Sequence, residues 1–207
     1  MNANAVLWIA NILSLIGNVI ATSAAFLKSK RNILLFQSSN HVLEIVAQLF
    51  TRAFSGVVQE AISLIRNVTF VFVRTTKKAP KLIISILCLV AGVTVGVLFN
   101  VYFSRNVLYG YLPIAGAAIY AVFVIVAFLF TSSDLTSELY MKVGILFNAV
   151  CWSAYGVFIK IYPIMIFNGI AFGLAVASIV RIGIAKKRQK KQTEEETADA
   201  IPDEKTA

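Results

Sequence analysis

Residues 43–73 read LEIVAQLFTRAFSGVVQEAISLIRNVTFVFV, long enough for two membrane-crossing helices yet carrying Glu44, Arg52, Glu60 and Arg66. The reading of this stretch decides between six spans and seven. Glycine and serine suit a turn, so the stretch reads as a tight helical hairpin, 41–54 out and 58–73 back. The turn is expected near Ser55-Gly56, with Gln59-Glu60 at the interface.

Outward from that hairpin lie five further apolar runs: 5–27, 82–103, 106–133, 143–159 and 161–180. Each crossing helix needs roughly 20 apolar residues. The first run has no Lys or Arg before Lys28, whereas a cleaved signal peptide has a basic start and a shorter apolar core. It therefore reads as a retained span. Pro113 and Pro163 fall near helix starts, where the missing N–H costs nothing. Asp134 and Glu138 mark a link, and Lys160 alone breaks the last two runs into a second tight hairpin.

Composition agrees with a bilayer as solvent. Of 207 residues, 58% are hydrophobic and 14% charged, and mean hydropathy is +0.80. Soluble domains carry about 45–50% apolar and about 25% charged residues, and disordered chains are polar and highly charged. Both classes are excluded. The net charge of +9 does not indicate nucleic-acid binding: residues 182–207 hold six basic and six acidic residues. The excess lies in residues 1–181, mostly in short links, where orientation charges belong. Cys88 and Cys151 fall inside apolar runs and read as small buried hydrophobes.

With the N-terminus outside, the inward links hold Lys28, Lys30, Arg31, Arg74, Lys77, Lys78, Lys81, Lys142 and the 181–191 cluster. The outward links hold only Arg105 and Lys160. The positive-inside rule therefore selects seven spans, N-terminus outside and C-terminus in the cytoplasm. Residues 186–207 are charge-blocked and read as a helix extension fraying into a disordered cytoplasmic tail. The basic part of that tail is placed to attract anionic headgroups.

The two hairpins resemble each other. Residues 52–58 align with 152–158, with Gly56 and Gly156 100 apart and Asn67 and Asn168 101 apart. The bland alternative is that any two apolar hairpins look alike. The expected fold is an all-α polytopic membrane protein of seven helices, arranged 3+1+3 as two parallel three-helix units, one of the known transporter repeat classes. The units are residues 1–76 and 105–185, and 77–104 is the connector.

Charges at mid-bilayer are costly and usually face a bundle interior or water cavity. Glu44, Gln48 and Arg52 are spaced by four and share a helix face. Gln48, Arg52 and Arg66 are expected to line a cavity, with Glu44 or Glu60 as counter-charges. In the second half Asn148, Trp152, Tyr155 and Asn168 supply hydrogen bonds and flat aromatic surface. Plain structural readings compete: Arg52 and Glu60 snorkel, and Trp152 anchors at the interface. His41, the one histidine, sits just inside a helix start, where a cap or interfacial role fits better than proton relay. No metal-ligand cluster, cofactor motif, Ser-His-Asp set or phosphate loop is legible, so an enzyme is not expected.

Leu112-Pro113-Ile114-Ala115-Gly116, Cys151-Trp152, Asn168-Gly169, Ile65-Arg66 and the link 31–37 resemble the YgjV-type bacterial inner-membrane protein family over roughly residues 5–182. That resemblance implies a bacterial cytoplasmic membrane. At fold level the 3+1+3 arrangement is similar to SWEET and other PQ-loop carriers. By that similarity Asn67 and Asn168 face each other across a central substrate pocket. The sequence departs from the PQ-loop pattern: Gln37 lacks a preceding proline and the second unit has no Pro-Gln pair. The leading expectation is a facilitator or carrier of a small polar solute through a central cavity. The rival is a non-transporting scaffold or small subunit of a membrane complex. Expected partners are the lipid bilayer and the solute, with a homo-oligomer left open.

Overall fold

The computed structural model describes residues 2–23, 30–72, 78–104, 106–130 and 134–199. Among them run seven α-helices: α1 (Ala3–Ser23), α2 (Lys30–Phe50), α3 (Phe54–Phe72), α4 (Lys78–Tyr102), α5 (Leu112–Phe130), α6 (Asp134–Ile159) and α7 (Tyr162–Asp199). A short 3-10 turn, Leu108–Tyr111, leads into α5. Five segments are long and apolar enough to cross a membrane: Ala3–Ser23, Leu82–Tyr102, Leu108–Ala127, Thr136–Ile159 and Tyr162–Arg188. The hairpin α2–α3 completes the seven with more polar helices. The links carrying Lys28, Arg74, Lys77 and Arg105 lie outside the described residues.

Two boundaries differ from the sequence reading. Helix α2 begins at Lys30 rather than His41, because its polar residues are satisfied inside the helix. Ser38 Oγ donates to the Leu34 carbonyl at 2.8 Å and Ser39 Oγ to that of Leu35 at 3.2 Å, the back-bonding that lets serine persist in helices. Helix α6 begins at Asp134 rather than Val143. Asp134 and Glu138 thus belong to its first turns, where negative charge complements the helix dipole. Helix α7 runs past residue 180 to Asp199, the expected extension, because Ala, Lys, Arg, Gln and Glu are strong helix formers.

The first hairpin turns at Thr51–Ala53, not at Ser55-Gly56, which lie within α3. Arg52 adopts φ 58°, and its N–H donates to Leu49 O at 3.1 Å while that of Ala53 donates to Gln48 O at 2.9 Å. The second hairpin turns identically. Lys160 has φ 60°, its N–H donates to Val157 O at 3.2 Å, and that of Ile161 donates to Gly156 O at 3.0 Å. Both are Schellman-type helix ends with a left-handed closing residue. Arg52 and Lys160 are therefore the matching positions. Gly56 follows its turn and Gly156 precedes its own, so those two glycines are not counterparts.

A second correspondence obeys the same register. Asn40 lies twelve residues before Arg52, and Asn148 twelve before Lys160. Gly17 of α1 packs on Asn40 and Leu43, and Gly116 of α5 packs on Asn148 and Cys151. A Cβ at Gly17 would stand 2.7 Å from Asn40 Oδ1, and one at Gly116 would stand 2.9 Å from Cys151 Cβ. A larger residue at either position would push its neighbours aside.

The helices pack in chain order and α1 closes against α7. Asn11 makes that closure specific. Its Nδ2 donates to Lys160 O at 2.9 Å and its Oδ1 accepts from Tyr162 N–H at 2.9 Å. Helix α4 packs on α3, α5 and the 3-10 turn, and Gln59 Nε2 ties it to α3 through Gly92 O at 2.8 Å. Burial is inverted relative to a soluble protein. Ser14, Glu44, Gln48, Gln59, Asn67 and Asn100 are buried, while Trp8, Phe72, Leu87 and Leu174 are exposed. Such a surface suits lipid.

Candidate functional site

A chamber of about 230 Å³ lies at the centre of the bundle, lined from every helix except α4. Helix α1 supplies Asn18; α2 supplies Asn40, His41 and Glu44; α3 supplies Glu60, Ser63 and Arg66. Tyr120 comes from α5, Asn148 and Trp152 from α6, and Asn168 from α7. The register set by the two turns recurs in this lining. Asn40 matches Asn148, Glu44 matches Trp152, and Glu60 matches Asn168, each pair 108 residues apart.

Glu44 is 3% exposed. Its Oε1 accepts from Ser14 Oγ and Asn18 Nδ2, both at 2.6 Å. Its Oε2 faces Gln48 without meeting hydrogen-bond geometry. His41 Nδ1 meets Glu60 Oε2 at 2.5 Å, an ion pair when the imidazole is protonated. The Arg66 guanidinium stands over the Tyr120 ring, 6.0 Å from its centroid, a cation–π arrangement. Among the described residues no carboxylate lies within ion-pair distance of Arg66, and no cation within that distance of Glu44.

Two further cavities flank this chamber. One of about 270 Å³ between α2, α3, α4 and α5 contains Gln37, Gln59, Asn67 and Ser85 among apolar residues. It shares Ser63, Arg66, Ala117 and Tyr120 with the central chamber. The other, about 520 Å³, is lined by Thr51, Arg52, Ser104, Val107, Tyr155 and Lys160. Both hairpin turns and the link before α5 thus open onto one end of the bundle.

Tyr155 lines this end vestibule and packs on Trp152, which lines the central chamber. Its side chain is fully buried and its ring meets Trp152 edge-on, centroids 5.7 Å apart. The hydroxyl donates to Ala53 O at 3.2 Å, accepts from Gly56 N–H at 3.2 Å, and lies 3.4 Å from Ser55 Oγ. A single phenol therefore ties α6 to the α2–α3 turn. Gly56 leaves room for it: a Cβ there would stand 1.8 Å from Gln48 Oε1 and 2.8 Å from Tyr155 Oη.

Of the residues expected to bind solute, Arg66, Asn148, Trp152 and Asn168 are brought together in the central chamber. Asn67 lines the neighbouring cavity instead, fifteen residues past Arg52, whereas Asn168 lies eight past Lys160. The two asparagines therefore do not share a chamber wall. Gln48 is fully buried against Gly56. Arg52, expected on a helix face with Glu44 and Gln48, is in the turn and opens on the vestibule, because α2 ends at Phe50. His41 lies within α2, not at its start, and bonds Glu60. The sequence reading missed Asn18, Asn40, Ser63 and Tyr120. The available signal was the pair of asparagines standing twelve residues before a basic residue in each hairpin.

The sequence model of Imp-YgjV, a bacterial inner membrane protein family, matches residues 8–186. The chain belongs to the Imp-YgjV family. The match takes in all seven helices and stops where the charged extension of α7 begins. No curated protein and no solved structure matches the chain. Membership of Imp-YgjV, together with the five apolar spans, makes this a multi-pass protein of the bacterial inner membrane.

Proposed function

We propose that this Imp-YgjV protein carries a small polar solute across the inner membrane through the central chamber. In this reading α1–α3 and α5–α7 are two parallel three-helix units joined by α4, the 3+1+3 arrangement of SWEET-type carriers. One observation carries it: residues at matching register positions in the two hairpins line a single polar chamber, around which α1–α3 and α5–α7 all converge. Polar groups sequestered from lipid at mid-bundle mark solute pathways in membrane proteins. The chemistry is binding and release rather than catalysis.

The solute contacts fall to Arg66, Asn148, Trp152 and Asn168, joined by Asn18, Asn40 and Glu44. Asn67 acts from the adjoining cavity, and Gln48 and Tyr155 form the partition toward the vestibule that Arg52 borders. The hairpin turns face the exterior and the C-terminus the cytoplasm, as the basic links 28–31 and 74–81 favour. Opening the partition breaks the bonds of Tyr155 Oη to Ala53 and Gly56, at a net cost of about 0.5–1.5 kcal/mol each. That cost keeps two states within the few kcal/mol over which a ligand shifts a population.

Single cysteines at 48, 52, 66, 67, 148 and 168, in a chain lacking Cys88 and Cys151, test the reading. Labelling of 148 and 168 by membrane-impermeant thiol reagents from both sides of the membrane supports a carrier. Protection of these positions from both sides indicates a scaffold with a sealed polar interior.

A further inference from the structure

The ionisable groups of the central chamber are not all paired with one another. Glu60 has His41 against it at 2.5 Å. Glu44 has neutral groups alone around it, Ser14 and Asn18 donating to Oε1 and the Gln48 amide beside the carboxyl, and no cation at ion-pair distance. Arg66 has only the face of Tyr120. One carboxylate and one guanidinium thus line the same chamber, each without an opposite charge at ion-pair distance among the described residues. A guanidinium removed from water is expensive unless paired, and a buried carboxyl ionises at least cost when a cation faces it.

We infer that the chamber binds a small zwitterion, an ammonium and a carboxylate on one compact molecule of the free amino-acid class. The inference rests on the carrier reading and names its solute. The ammonium meets the Glu44 carboxyl at the chamber wall, supplying the cation that group lacks. The carboxylate meets the guanidinium edge of Arg66, whose planar fork suits a carboxylate and whose face is already taken by Tyr120. A simple cation leaves Arg66 uncompensated, a simple anion brings no cation to Glu44, and an uncharged sugar supplies neither charge. The volume of about 230 Å³ is below the range of drug-sized pockets and suits one compact molecule. Trp152, at the register position of Glu44 in the second hairpin, closes the chamber with an aromatic wall.

The test is thermal unfolding of the intact chain in detergent near neutral pH with glycine, L-alanine, L-serine or L-leucine. The same titration is run with ethylamine, propionate and glucose at equal ionic strength. A ligand that favours the folded form raises Tm. The expected result is a saturable rise with at least one amino acid, and affinities about tenfold or more weaker for the singly charged analogues, each of which lacks one charge-assisted contact. Glu44→Gln and Arg66→Gln, chosen to keep side-chain size, are expected to abolish the rise while Tm without ligand stays measurable. A rise with ethylamine, propionate or glucose as strong as with any amino acid overturns the inference. So does the absence of any amino-acid response, or its survival in both variants. If two-sided labelling of positions 148 and 168 persists alongside such results, the zwitterion falls and the carrier stands. Protection of these positions from both sides overturns the carrier reading, whatever the ligand panel gives.

Discussion

Arg52 and Lys160 close α2 and α6 in the same left-handed backbone conformation, φ 58° and 60°. Neither is glycine, and an L-residue in that region pays roughly 1–2 kcal/mol. Arg52→Gly and Lys160→Gly are expected each to stabilise the chain by about 1 kcal/mol, read as a shift in the denaturation midpoint. A loss of stability in both would show that the charged side chains, not the backbone, set these turns.

Gly56 lies beneath both Gln48 and Tyr155. Gly56→Ala forces the ends of those side chains aside and is expected to cost about 1–3 kcal/mol. Adding Gln48→Ala removes the nearer obstacle, so the double variant is expected to recover part of the loss. Such non-additivity marks residues in contact, and additive effects would mean that Gly56 matters for another reason.

Tyr155→Phe keeps the ring and removes the hydroxyl, leaving the Gly56 N–H without its partner. A buried orphan donor costs about 1–3 kcal/mol. A cysteine at position 148 should then react faster from the vestibule side than in the parent chain. An unchanged rate would remove Tyr155 from the partition.

His41→Ala strips Glu60 of its hydrogen-bond partner at the chamber wall. The expected loss is about 1–3 kcal/mol, and His41→Ala with Glu60→Gln should be less destabilised than His41→Ala alone. Breaking one side of a sequestered pair is worse than neutralising both. Equal stability of the two variants in a denaturant titration would show that the pair contributes nothing.

The spans were legible because lipid imposes a coarse and strong rule on composition. The two hairpins were legible too, as was the inward placement of Arg66, Asn148, Trp152 and Asn168, since buried polar residues stand out against an apolar background. The turn of the first hairpin was not. A glycine in an apolar run signals a bend or a close approach equally well, and Gly56 serves the approach, while the bend falls on Arg52, whose side chain gives no sign of a positive φ. That shift displaced the repeat register and with it the pairing of Asn67 with Asn168. The start of α2 was hidden because Ser38 and Ser39 read as loop residues until their hydroxyls are seen bonded to their own helix.

Helix α7 has 38 residues, about 57 Å at 1.5 Å per residue, nearly twice a hydrocarbon core of about 30 Å. If it starts at one face of the bilayer, its last turns stand as a mast in the aqueous phase beyond the other. Lys186, Lys187 and Arg188 then sit at its foot, where anionic headgroups attract basic side chains. A rod rooted in the bundle holds those cations at one fixed depth, where a slack tether would let them wander.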